Sequence, residues 1–99
     1  MKNKIPQNIT PCLWSYNIDN IDLREDKEII ITQVLNYGDA ERIKWLYSVY
    51  NDEDIKEVVI HPRRGLWFDR VLNFWELMLN IHIPKKIRQK AIFDINPPF

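Results

Sequence analysis

From residue 66 to 83 the chain reads Leu-Trp-Phe-Asp-Arg-Val-Leu-Asn-Phe-Trp-Glu-Leu-Met-Leu-Asn-Ile-His-Ile. On a 3.6-residue period its polar positions fall into one narrow stripe, Asp69, Asn73, Glu76 and Asn80, at i, i+4, i+7 and i+11. Val71, Phe74, Trp75 and Met78 point one way, while Leu72, Leu77 and Leu79 widen the apolar arc. The spacing predicts one long helix. A helix apolar over most of its circumference belongs at the centre of a bundle or between a domain and a partner.

Upstream, Pro6, Pro11 and scattered Asn and Asp disfavour a long helix over residues 1–21. An extended arm is expected there, anchored through Leu13, Trp14, Tyr16, Ile18 and Ile21. A first helix is expected from about Asp22, with Glu25 at a capping-box-like spacing. It runs through Ile30, Ile31, Val34 and Leu35, and Gly38 is placed to stop it in a left-handed conformation. The β-branched run Ile29-Ile30-Ile31-Thr32 also fits a strand, but the charges before it and its i, i+4 pairing favour helix.

Asp39 is the expected cap of a second helix carrying Ile43, Leu46, Tyr47 and Tyr50 on one face, with Trp45 and Val49 beside it. Asp52 is the expected cap of a third, through Ile55, Val58 and Val59, closed by Pro62. Arg63-Arg64-Gly65 then forms a basic turn into the long fourth helix, and Pro84 opens a short basic helix from Lys85 to about Ala91. Residues 94–99 read as an extended apolar tail. No hairpin turn and no sustained two-residue alternation is present. The fold expected is all-α, a compact bundle of four to five short helices with a helix-turn-helix-like core and an aromatic amino-terminal arm. Its parts are the arm (1–21), the helical domain (22–83) and the short basic helix with its apolar tail (84–99).

With 45% apolar and 28% charged residues over 99 positions, one globular domain is expected. No apolar run approaches the roughly 20 residues that span a bilayer. No apolar signal-peptide core follows the basic Met1-Lys2-Asn3-Lys4. Cys12 is a single cysteine, and a cytoplasmic protein is expected. Net charge is zero, yet it is unevenly spread: residues 1–60 hold seven Lys/Arg against eleven Asp/Glu, and residues 61–99 hold seven against three. The asymmetry fits either two faces that pack together or a basic surface for an anionic partner.

Candidate reactive chemistry is sparse. Cys12, His61 and His82 lack any paired-ligand spacing, so no metal is expected. No Gly-x-Ser-x-Gly turn is present, and the two glycines, Gly38 and Gly65, cannot build a phosphate-cradling loop. Asp52, Glu53, Asp54 and Glu57 are acids at a helix start, where the dipole alone favours them. We expect neither an enzyme nor a cofactor.

Helices two and three, joined by a tight turn after another helix, have the layout of trihelical DNA-binding domains. The third helix, however, exposes Glu53, Asp54, Lys56 and Glu57, a net negative face that phosphates would repel. If DNA is bound, Arg63, Arg64, Arg70, Lys85, Lys86, Arg88 and Lys90 are the better contacts. Arg63 and Arg64 fit a solvated loop, a contact with the acidic first half, or a clamp on phosphate or carboxylate. Trp67 suits stacking on a guanidinium or the core. Ile92, Phe93, Ile95 and Phe99, with Pro97-Pro98, suit either a tail folded home or one docked in a partner's groove.

Several motifs carry a family resemblance. They are Leu13-Trp14-Ser15-Tyr16, Ile31-Thr32-Gln33-Val34-Leu35-Asn36-Tyr37-Gly38, Trp45-Leu46 with Tyr50, Ile55-Lys56-Glu57-Val58-Val59, Pro62-Arg63-Arg64-Gly65 and Leu72-Asn73-Phe74-Trp75. In order and spacing they resemble a family of small bacterial and archaeal proteins, labelled a domain of unknown function. Its pattern is "W-x-Y/V-D", "VLxYG", "WLxxxYG" and "LNFW". Asn51 and Asn17 depart from it, standing where glycine and an acid are usual. The resemblance covers about residues 13–81. Genes of that family commonly lie beside nucleotidyltransferase toxins of the AbiEii abortive-infection type, which implies an antitoxin-like role.

The expected function is therefore a non-enzymatic binding module, the antitoxin partner of a nucleotidyltransferase-type toxin. Arg63, Arg64, Trp67, Arg70, Lys85, Lys86, Arg88, Lys90, Phe93 and Phe99 are its candidate partner contacts. The alternatives are a DNA-binding regulator using the same cations and a homodimer formed through the Trp75 helix.

Overall fold

A computed structural model describes residues 5–92. Two 3-10 helices, Thr10–Leu13 and Ile18–Asn20, lead into five α-helices: α1 (Lys27–Tyr37), α2 (Ala40–Val49), α3 (Asp52–Ile60), α4 (Asp69–Met78) and α5 (Lys85–Ala91). Among the described residues the sole β feature is an isolated parallel bridge between Trp67 and Ile92. The domain is all-α, as the periodicity predicts.

Local polar chemistry sets the helix starts. Asp39 caps α2 by accepting from the Arg42 N–H at 3.1 Å. The cap of α3 is Asn51 instead of Asp52. Asn51 Oδ1 accepts from the Asp54 N–H at 2.8 Å and Asp54 Oδ2 accepts in return from the Asn51 N–H at 3.3 Å. That reciprocal box satisfies two amide donors that an unaided helix start leaves open. Before α1, Asp22 accepts from the Arg24 and Glu25 N–H groups, and Asp26 accepts from the Asp22 N–H at 2.9 Å. The expected winding at Asp22 is present as a turn, with Asp26 in the reciprocal role in place of Glu25, and the regular helix begins at Lys27.

The helix buried on every side is α1. Six consecutive residues, Ile30 to Leu35, are buried, and α1 touches the first 3-10 helix, α2 and α3. Four of the six are apolar. Gln33 is satisfied by donating from Nε2 to the Cys12 carbonyl at 3.1 Å, while the buried Thr32 hydroxyl has no hydrogen-bond partner among the described residues. The strand alternative for Ile29–Thr32 fails because only a helix presents these side chains to three neighbours at once.

The amino-terminal arm differs from expectation in form, while of its expected anchors Leu13 and Ile21 are buried and Tyr16 and Ile18 pack against the core. It is wound into two 3-10 turns, and its buried residues are Ile9, Cys12, Leu13 and Ile21. Trp14 is instead 69% exposed.

At Gly38 the backbone is extended (φ −85°), so no left-handed turn operates there. Glycine is required for a different reason: a Cβ would lie 2.6 Å from the Val34 carbonyl oxygen. Gly65, at φ +74°, is the true left-handed glycine.

The fourth helix is shorter than its apolar pattern suggests. Residues 65–67 are withheld from it because their backbone pairs with the end of α5. The Gly65 N–H donates to the Lys90 carbonyl and the Trp67 N–H to the Ala91 carbonyl, both at 2.9 Å. Trp67 is thereby fully buried. Asn36, on α1, accepts from the Phe68 N–H at 3.0 Å at the α4 start. At the other end Asn80 adopts φ 53° and stops the helix. α5 is therefore integral to the domain, with Ile83 and Ala91 in the core.

Gly38→Ala should cost about 1–3 kcal/mol, the scale of forced overpacking against a backbone atom, read from a denaturant midpoint. Tyr50 is buried and donates to the Leu23 carbonyl at 2.6 Å. Burial, then the nearby Asp22, Asp54 and Asp26 carboxylates, push its phenol well above the ordinary tyrosine value. A raised acid contributes stability that is intact below the unfolded value, about pH 10, and lost as pH climbs towards the folded one. Tyr50→Phe should shallow the alkaline loss of stability and cost about 1 kcal/mol at neutral pH, both measurable by urea unfolding across pH 7–11.

Candidate functional site

Of the polar stripe foreseen on the fourth helix, Asp69, Asn73 and Asn80 face solvent, while Glu76 is largely withdrawn beside Arg88. The Arg88 side chain, 19% exposed, donates from Nη2 to Asn73 Oδ1 at 3.1 Å. Its guanidinium lies 3.7 Å from both Asp69 and Glu76 carboxylate oxygens. Glu76 also accepts from the Ile83 N–H at 2.7 Å, which fixes the turn between α4 and α5. His82 approaches the same carboxylate at 3.8 Å and is itself almost fully exposed. An open groove of about 540 Å³ follows this seam, lined by Asn73, Leu77, Ile81 and Lys85 among others.

With α5 held against the polar side, part of the apolar arc faces outward. Phe74, Leu77 and Met78 are 51%, 76% and 62% exposed, while Leu72, Trp75 and Leu79 face the core. Tyr47 of α2 extends the outward patch, its ring centroid 6.3 Å from that of Trp75. Phe74 stacks edge-on against Trp75 at 5.2 Å. A second aromatic step runs from Trp14 through Tyr37 to Phe68, with centroid separations of 6.5 and 5.2 Å.

The predicted partner contacts separate into groups. Arg63 sits 3.6 Å from Glu28 on α1, an ion pair with the acidic first half. Arg88 belongs to the α4–α5 seam, and Trp67 is a core residue that no partner reaches in the folded domain. Arg64, Arg70, Lys85, Lys86 and Lys90 are exposed and form no ion pair among the described residues. Phe93 and Phe99 lie outside the described residues. The backbone pairing of Gly65 with Lys90 brings the Arg63-Arg64 turn against the end of α5, beside Lys90 and, one turn earlier, Lys86. The two arginines stand 22 or more positions before the two lysines in the chain, and only the tertiary contact joins them into one basic edge.

α3 presents Asp52, Glu53, Lys56 and Glu57, with Lys56 paired to Asp52 at 3.4 Å. This keeps the third helix net negative. Among the described residues no three His, Cys, Asp or Glu side chains group as metal ligands, and no helix is long and apolar enough to cross a membrane. Sequence reasoning passed over Tyr47, Phe74, Leu77 and Met78 as surface residues. The excess apolar arc was the available signal, but its outward part could not be chosen from the pattern alone.

The model of a family of unknown function (DUF6922) matches residues 9–59, just over half of the chain. No curated protein and no solved structure matches.

Removing the Arg88 guanidinium would leave Glu76 partly buried without its cation. Arg88→Ala should lower stability by about 1–3 kcal/mol, the scale for a hydrogen bond to a charged group. Thermal unfolding followed by circular dichroism would show it as a lowered midpoint.

Proposed function

The chain belongs to this family of unknown function, and we propose that it is a non-enzymatic binding module, the antitoxin of a nucleotidyltransferase-type toxin. The observation that carries the reading is the basic edge, where Arg64, Lys86 and Lys90 are brought to one side with no ion pair to a carboxylate among the described residues. A site that holds metal and triphosphate is rich in carboxylates, so a cationic edge complements it and speeds encounter. Arginine at the turn adds a planar fork suited to carboxylates. The resemblance of the motifs to proteins encoded beside AbiEii-type toxins supports the same partner. The acidic face of α3 opposes the placement that a helix-turn-helix uses on DNA.

The test is neutralisation of a nucleotidyltransferase toxin of that type by the full chain, scored as growth rescue and as binding to the purified toxin. Arg64→Glu/Lys86→Glu/Lys90→Glu should weaken binding at least tenfold and abolish rescue, with the circular dichroism spectrum unchanged. Rescue equal to that of the unaltered chain would overturn the basic edge as the contact. Duplex DNA is the control ligand. Binding that weakens steeply with added salt, together with failure to rescue, would replace the antitoxin reading with a regulatory one.

A further inference from the structure

We propose that the outward apolar stripe of α4 is a homodimer interface, on which two copies of this chain pack their α4 helices antiparallel about a two-fold axis. Phe74, Leu77 and Met78 occupy the stripe at i, i+3 and i+4, and Arg70 precedes them by one turn on the same side. Tyr47 broadens it from α2. Nothing among residues 5–92 covers these side chains, because Arg88 has committed α5 to the polar side of the helix. Their exposed apolar area is on the order of 400 Å², within the range that marks an interaction patch on a monomer. A stable pair buries about 800 Å² on each partner. The flanking Arg70 and Val71 continue the patch along α4 and would supply part of the remainder.

Charge distribution favours a second copy as the occupant. The stripe carries one charge, Arg70, at its amino-terminal end, and α4 has no basic residue in its last turn. Antiparallel pairing sets each Arg70 against the carboxy-terminal end of the other α4, the negative end of that helix's dipole. The same operation seats Phe74 of one copy against Leu77 and Met78 of the other, so each contact is made twice. A parallel arrangement would bring the two Arg70 side chains together. The net charge of zero leaves no overall repulsion between copies. An acidic partner, by contrast, is matched by the basic edge at the far side of α5.

Sedimentation of the full chain between 5 and 200 µM tests the pairing. The expected species at the upper end has twice the 12.0 kDa chain mass. Leu77→Glu and Arg70→Glu, both at exposed positions, should each raise the dissociation constant at least tenfold without altering the circular dichroism spectrum. Orientation has its own readout. A mixture of Phe74→Cys and Leu77→Cys chains should form the mixed disulfide in preference to either symmetric one. A 12.0 kDa monomer throughout, or a dimer indifferent to Leu77→Glu, would overturn the proposal. Symmetric disulfides in preference to the mixed one would overturn the antiparallel arrangement.

Discussion

The guanidinium of Arg88 ties α5 to the polar side of α4. It bonds to Asn73 and lies between Asp69 and Glu76, and of these partners Glu76 alone is largely withdrawn from solvent. Each carboxylate contact is long at 3.7 Å, and Nη1 is buried without a hydrogen-bond partner. The seam therefore has a desolvation cost, offset by a charge-assisted cluster and by the carboxylate's bond to the Ile83 N–H. Once α5 is held there, its last residues pair with Gly65 and Trp67, and the Trp67 ring is sealed. The start of α4, the turn after it and both outward surfaces follow from that placement.

Two surfaces of different character result. The basic edge joins the turn after α3 to the end of α5, while the apolar stripe lies on the other side of α4. A cationic edge gains affinity and speed from an acidic partner. An apolar stripe gains from whatever excludes water along its length, and is indifferent to the partner's charge.

The part of the chain matched by the family model, residues 9–59, coincides with the arm and α1–α3. Its polar motif residues serve the fold. Gln33 holds the first 3-10 helix, Asn36 caps the approach to α4, and Gly38 admits the Val34 carbonyl at close range. Both proposed surfaces are built mainly on α4, α5 and the turn that joins them to this unit.

Periodicity and caps made much of the fold legible before any coordinates. The all-α class, the cap at Asp39 and the short helix from Lys85 to Ala91 all stand, because they depend on neighbours within one or two turns. The expected cap at Asp52 moved by one residue to Asn51, since either side chain can serve and the reciprocal partner Asp54 selected one of them. The length of α4 was not legible, because residues 65–67 are held out of the helix by hydrogen bonds to residues 90 and 91. Its polar side keeps Asp69, Asn73 and Asn80 at the surface, as an amphipathic pattern should, but the cation that docks there comes from 12 to 19 positions away and no local pattern announces it. The amino-acid order settled which helices form and what each has to offer. Long-range contact alone settled which faces met one another and which were left to solvent.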